Sequence, residues 1–391
     1  MKIKSILLAG LIALGFAACN NEDTPQVNNA EATVSVKVIP SSNGTTVRAV
    51  EDLTGNGVLA AGLTAESKIQ QLEVYVFDAI TNVLDGYKSA SDAAGVTEVK
   101  EIEVTPGNKV IMIVANGAVG TKATKTDLLD ATKELPAAAD KLPMTGESAT
   151  ITLDPGQNYY GYPADQTPEG KEHSVAAPLK IQRINARVAI VAADVSQAIK
   201  DGDDPIFDEL KDVDVAIFNV PKASKLFGAV GTLATNTDYL FGEAWPTTAN
   251  SYVVGTAETT FKDAAVDFPI TVAKAPTYYV TENTSAVTTP DKEQMLIVLR
   301  GKPYKGGNQV TSEGLYTDAA GYTYYPIWVN KDGDITGSDG DGKILRNTQY
   351  NISLTITKIG NPTIDEVEDA WLDVVVEVMD WAVVGQDVTW E

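Results

Sequence analysis

Run after run of this chain alternates between apolar and polar residues, and a period of two is the rhythm of a strand with one covered face. Ala32, Val34, Val36 and Val38 share a face in the first such run, which Pro40-Ser41-Ser42-Asn43-Gly44 ends with turn residues. Leu72, Val74 and Val76 repeat the pattern, as do Val213, Val215 and Ile217, and again Tyr350–Thr357. Ala149–Leu153, Ala186–Ala192, Met295–Arg300 and Tyr322–Val329 read as further strands, and Lys109–Ala115 is apolar enough to be covered on both faces. Near the C-terminus Leu372, Val374, Val376 and Val378 lie on one face, with Asp373, Val375, Glu377 and Met379 on the other. Trp381 and Val383 continue that extended pattern. Only Thr126–Leu135 has helical spacing, with Asp127 placed to cap it. Short strands parted by Gly, Pro and Asn predict a mostly β chain of the sandwich kind, with few and short helices.

The length of 391 residues suggests about two domains. The Pro- and Gly-rich stretch from Gly156 to Leu179 is the expected boundary, giving units of 49–178 and 179–391.

The N-terminus is of a different kind. Lys2 and Lys4 precede an apolar run, Ile6–Phe16, too short to span a bilayer, and Ala17-Ala18-Cys19 closes it with small residues. A thiol at that place, followed by Asn20-Asn21-Glu22-Asp23, reads as the acylation site of a lipoprotein, with residues 1–18 as its leader. The expected precursor is therefore held at the outer membrane by lipid, palmitate included. No later segment is long and apolar enough to be a transmembrane helix.

Cys19 is the only cysteine, so disulfides, thiol catalysis and cysteine–zinc sites are excluded for the rest of the chain. His173 is the only histidine and lies in a polar stretch, which argues against a catalytic triad and against an enzyme. A net charge of −23 repels a phosphate backbone, so nucleic acid is not an expected partner. The loop from Asp332 to Gly342 holds Asp332, Asp334, Asp339 and Asp341 among glycines. It resembles the front of a calcium loop, but Lys343 stands where the closing glutamate belongs, so an exposed acidic loop is the plainer reading and no metal or cofactor is expected.

The chain has five arginines, at 48, 183, 187, 300 and 346. Arg48 is the one in a loop-like context, between Gly44-Thr45-Thr46 and Glu51-Asp52. An arginine-specific protease needs such an accessible segment. On residues alone a solvated surface arginine is the plainer reading.

Five segments together carry a family resemblance: Gly156-Gln157-Asn158-Tyr159-Tyr160-Gly161-Tyr162, Ala177–Arg187, Tyr324–Asn330, Arg346–Ile352 and Val383–Trp390. In this order, behind a lipoprotein leader and one early arginine, the chain resembles the FimA-type major fimbrial subunits, or fimbrillins, of Bacteroidota. The resemblance implies two tandem transthyretin-like β-sandwich domains and a subunit of the fimbrial stalk, used in adhesion. It implies cleavage of the Arg48–Ala49 bond by an arginine-specific protease, which discards residues 19–48 with the strand carrying Ala32, Val34, Val36 and Val38. The vacated groove would take the C-terminal strand of another copy, that of Leu372, Val374, Val376, Val378, Trp381 and Val383, in a head-to-tail filament. Accessory fimbrial subunits and host or bacterial surface ligands are the further implied partners. Two alternatives stay open. One is a fimbrial anchor or tip component. The other is a surface lipoprotein that binds glycans through Tyr159, Tyr160 and Tyr162.

Overall fold

The computed structural model describes residues 32–40, 65–135, 139–163, 165, 167, 172–173, 178–195, 207–228, 238–246, 255–283, 294–330, 342–365 and 372–380, with backbone alone at 139, 172–173 and 372–380. The described chain is mostly β, as the alternation predicts.

The first eleven strands are β1 (Ala32–Pro40), β2 (Gln71–Asp78), β3 (Leu84–Ser91), β4 (Glu98–Val104), β5 (Gly107–Ala115), β6 (Thr132–Glu134), β7 (Met144–Glu147), β8 (Ile151–Leu153), β9 (Gly156–Tyr160), β10 (Glu172–His173) and β11 (Leu179–Arg183). All but β6 form one hydrogen-bonded sheet in the order β10-β9-β1-β11-β7-β5-β2-β3, with β4 on β1 and β8 on β5. It folds over a shared core. Val34, Val36 and Val38 of β1 and Val99 and Ile102 of β4 pack there with Leu72, Val74 and Val76 of β2 and Ile111 and Ile113 of β5. The apolar run of β5 is buried from Lys109 to Ala115, as a strand covered on both faces should be. Gly86 permits the close approach of β3 to β4, because a Cβ there would collide with the carbonyl oxygen of Glu103.

One short helix, α1 (Lys125–Leu129), carries a capping box in which Thr124 and Asp127 satisfy each other's backbone N–H groups. The helical stripe expected to Leu135 stops here. Of the helix only Leu128 is buried, and from Thr132 the backbone pairs as β6 with residues 223–225. An available sheet partner outweighs a weak helical preference.

The remaining strands are β12 (Asn185–Val195), β13 (Glu209–Phe218), β14 (Val220–Pro221), β15 (Ala223–Lys225), β16 (Tyr239–Phe241), β17 (Thr256–Ala257), β18 (Lys262–Val266), β19 (Thr277–Thr281), β20 (Leu296–Lys305), β21 (Asn308–Gln309), β22 (Thr323–Trp328), β23 (Thr348–Ile356) and β24 (Leu372–Asp380). A four-stranded sheet, β19-β12-β23-β24, and a five-stranded one built on β18-β13-β20-β21, with β22 on β20, share a second core. Val188 and Ile190 meet Val215, Ile217, Ile297, Leu299, Ile352 and Leu354 in it.

Strand β11 pairs with β1 and β7 in the first sheet, and β12 opens the next one. The change of sheet thus comes at Ile184, later than the expected boundary. The stretch after Gly156 is not all connector either, since β9 pairs with β1 throughout. Among the described residues no helix is long and apolar enough to cross a membrane.

Candidate functional site

Strand β1 lies inside its sheet rather than at an edge. On one side Ala32–Val36 run parallel to Gly156–Tyr160 of β9, and Val38–Pro40 run parallel to Leu179–Ile181 of β11. On the other side Ala32–Lys37 run antiparallel to β4, and the backbone N–H of Val38 donates to the carbonyl of Thr97. The strand thereby satisfies backbone groups on both of its neighbours. Each would cost on the order of 1–3 kcal/mol if buried without a partner. Ala32, Val34, Val36 and Val38 are all buried in the core, as their shared face requires. Each valine contributes roughly 1.5–3 kcal/mol by leaving water.

Two contacts on β1 were not legible in the alternation. Asn158 of β9, fully buried, donates its Nδ2 to the carbonyl oxygen of Thr33 at 3.2 Å. That bond reads main chain and is indifferent to the side chain present. The second contact depends on the side chain. Strand β4 bulges, so that Lys100 and Glu101 together oppose the single Ser35. Glu101 takes a left-handed backbone at φ +54°, and its N–H donates to Ser35 Oγ at 3.2 Å. The alternation places Ser35 on the outward face, so only the structure shows that its hydroxyl is buried.

Thr33, Ser35 and Lys37 form the outer face of β1 and the floor of a cavity of about 450 Å³. Glu98, Lys100 and Glu101 wall it on one side, and Gln157, Tyr159 and Tyr162 on the other. Lys100 pairs with Glu98 at 2.7 Å, and Lys37 Nζ lies 5.8 Å from the Tyr162 ring centre. Tyr162 donates its hydroxyl to Glu98 at 2.9 Å. Burial, then the Glu98 carboxylate, pushes its phenol pKa upward. Of the tyrosines considered for glycan binding, Tyr160 belongs to the core, Tyr162 is buried against Glu98, and Tyr159 stacks edge-on with Tyr162 at 5.6 Å.

Strand β24 sits at the end of its sheet order, with β23 as its antiparallel partner. The register opposes Leu372, Val374, Val376 and Val378 to Ile356, Leu354, Ile352 and Tyr350, which are all buried. The two strands of interest thus lie in different sheets, and each is paired within its own chain.

Cys19, Arg48 and Ala49 lie outside the described residues, as do Trp381 and Val383 and the acidic positions Asp332, Asp334, Asp339 and Asp341. The backbone of Glu172–His173 is described, and pairs with Tyr159 and Tyr160. The other four arginines are held by the fold. Arg183 and Arg187 are buried, Arg300 pairs with Asp214 at 2.6 Å, and Arg346 pairs with Glu282.

Comparison with known proteins gives a consistent picture. The family model described as major fimbrial subunit protein (FimA) matches residues 32–183, and that of the FimA4 pilin C-terminal domain matches 185–381. Major fimbrium subunit FimA type-4 of Porphyromonas gingivalis is 33% identical over 413 residues, covering 100% of both chains. FimA type-5 of the same species is 33% identical over 422 residues, again covering 100% of both. Among solved structures, a fimbrilin (FimA) from Porphyromonas gingivalis superposes with a TM-score of 0.70 at 27% identity, over 92% of this chain and 99% of the other.

Proposed function

The chain belongs to the FimA family of major fimbrial subunits, and from that premise we propose that it is made as a lipidated precursor, cut after Arg48, and polymerised by strand replacement. Its role is structural: it is a subunit of the fimbrium, or pilus, and serves cell adhesion at the surface. The proposal concerns how it gets there. Cys19 takes the lipid that holds the precursor at the outer membrane. An arginine-specific protease then cuts between Arg48 and Ala49, and the segment bearing β1 leaves. The C-terminal strand of a neighbouring copy takes its place, and repetition gives a head-to-tail filament with accessory subunits at its ends. We further propose two structural units meeting near Ile184.

One observation carries the reading. The strand that precedes Arg48 is the buried centre of a sheet, held by main-chain bonds on both sides. Its loss would leave an apolar groove lined with unmet backbone groups, a strong acceptor for a new strand. The burial or ion pairing of Arg183, Arg187, Arg300 and Arg346 supports it too, by withholding them from a protease.

The test is N-terminal sequencing of protein sheared from the cell surface, with electron microscopy of the same fraction. Filaments whose subunits begin at Ala49 are expected. Filaments built from subunits that retain Cys19 would overturn the cleavage step. Acylated, non-filamentous material would instead mark an anchoring role.

A further inference from the structure

We propose that the replacing strand seats in one register, with Leu372, Val374 and Val376 in the places of Val34, Val36 and Val38, and Asp373 in the place of Ser35. This rests on the strand-replacement reading above and names the partner segment within it. The strand enters in the direction of β1, parallel to β9.

Parity comes first. A shift of one residue would turn Asp373 and Glu377 into the core, so only shifts of two are open. The even-numbered residues face inward in all of them, and the places they must fill differ.

The register that matches Val374, Val376 and Val378 with Val34, Val36 and Val38 fails at three places. It sets Leu372 where Ala32 is buried at 3% exposure, adding about three carbons in a closed core. It sets Val375 at Ser35, so the N–H of the Glu101 bulge loses its acceptor. It sets Glu377 at Lys37, which the register of β1 opposes to Glu98, making a pair of like charges. A shift forward of that register buries Asp380 in the place of Val38. A shift back beyond the proposed one puts Trp371 in the buried place of Ser35.

The proposed register meets more of these conditions than its rivals. Asp373 brings a carboxylate oxygen to the Glu101 N–H, in a cavity lined by the Lys100 ammonium together with the Glu98 and Glu101 carboxylates. Val375 takes the place of Lys37, so Glu98 faces no new anion. Glu377 falls at Ile39, which is 39% exposed and open to water. The residue two before Leu372 in the sequence is Ala370, again an alanine for the place of Ala32. Leu372 for Val34 adds one methylene, and Asp373 shares its place with the Glu101 carboxylate. The bulge is thus a register mark: Asn158 donates to whichever main-chain carbonyl stands there, whereas the Glu101 N–H selects the side-chain acceptor at one position.

Cysteine pairs in fibres made by otherwise native cells read the register directly, because Cys19 leaves with the prosegment and the mature subunit has no other thiol. Glu98→Cys with Val375→Cys is expected to give disulfide-linked ladders, and so is Glu103→Cys with Trp371→Cys, since β1 opposes Glu103 to Thr33. Ladders from Glu98→Cys with Glu377→Cys would establish the matching register and overturn the proposal. Fibres with the first pair linked but not the second would overturn the direction. Absence of fibres from the unmodified chain would instead strike the strand-replacement reading itself. As a second measure, Asp373→Ala is expected to shorten the half-life of fibres in denaturant about tenfold, while Asp373→Asn, which keeps an acceptor, leaves it near native. An unchanged half-life in Asp373→Ala would overturn the role of Asp373.

Discussion

Glu66 and Arg187, 121 residues apart in the chain, form an ion pair at 2.9 Å with both side chains buried. Tyr279 donates its hydroxyl to the same carboxylate oxygen at 2.7 Å, and Arg187 also donates to Gln349 Oε1 at 2.5 Å. Arg183, fully buried, donates to the carbonyl of Glu66 at 3.0 Å and to Asn347 Oδ1 at 3.3 Å. Burial pulls its guanidinium pKa down to about 10, against the opposing pull of Glu66, so it stays charged at neutral pH. One turn just before β2 is in this way fastened to β11, β12, β19 and β23. The fastening lies beyond Arg48, so it persists in a processed subunit.

Removing one partner of such a pair leaves a buried charge alone. Glu66→Ala is expected to cost about 3–5 kcal/mol, read as a lowered midpoint of urea unfolding. Glu66→Gln, which retains an acceptor for Tyr279, is expected to cost less.

Ser35 accepts a hydrogen bond from the Glu101 N–H, which ties β1 to the β4 bulge in uncut protein. Glu101 is exposed, so water can take over part of this bond, and Ser35→Ala is expected to lower the stability of uncut protein by about 0.5–1.5 kcal/mol. Protein that begins at Ala49 lacks Ser35, so its unfolding midpoint is expected to be the same whichever precursor it came from.

The valines of β1 are expected to hold the precursor monomeric. Val36→Ala removes two methyl groups from a closed core, at about 2–3 kcal/mol. Val36→Asp is expected to unseat the strand, so that uncut precursor associates. Size-exclusion chromatography of uncut protein checks this: a variant as monomeric as the wild type would remove the plugging role from β1.

Blocking the cut tests the proposed processing from the other side. Arg48→Ala is expected to yield folded precursor without fibres, with a normal unfolding midpoint. Electron microscopy of the cell surface reads the outcome.

The buried tyrosines set an alkaline limit. Burial, then Glu73, pushes the Tyr87 phenol up from 10.0 to about 12, and burial raises Tyr75, Tyr324 and Tyr325 as well. A folded state that holds these protons more tightly is favoured fully below pH 10, the unfolded value. That advantage is lost as pH rises through about 12 for Tyr87. Phenolate absorbance and loss of structure are therefore expected to rise together over that interval. Phenolates that titrate with free-tyrosine behaviour in folded protein would contradict it.

The strands were legible because their signal is local. Val34, Val36 and Val38 repeat at period two, and so do Val213, Val215 and Ile217; each set is buried together. The helix after Thr124 was legible at its cap and not at its end, because what ends it is β15, some ninety residues on. The family segments around Tyr159 and Arg183 could be picked out, but not the work of Asn158 on Thr33 or of Arg183 on Glu66.

By itself the sequence determined the β class of this protein, the inward faces of the alternating runs at Val34–Val38, Leu72–Val76 and Val213–Ile217, and the kinship to fimbrial subunits, because periodicity and motif are properties of neighbouring residues. Only the tertiary structure decided that Ala32–Pro40 lies at the centre of a sheet, that β11 belongs with it, and that Glu101 bulges opposite Ser35. Strand pairing is made between residues far apart in the chain, and a strand's pattern carries its faces but not its partners.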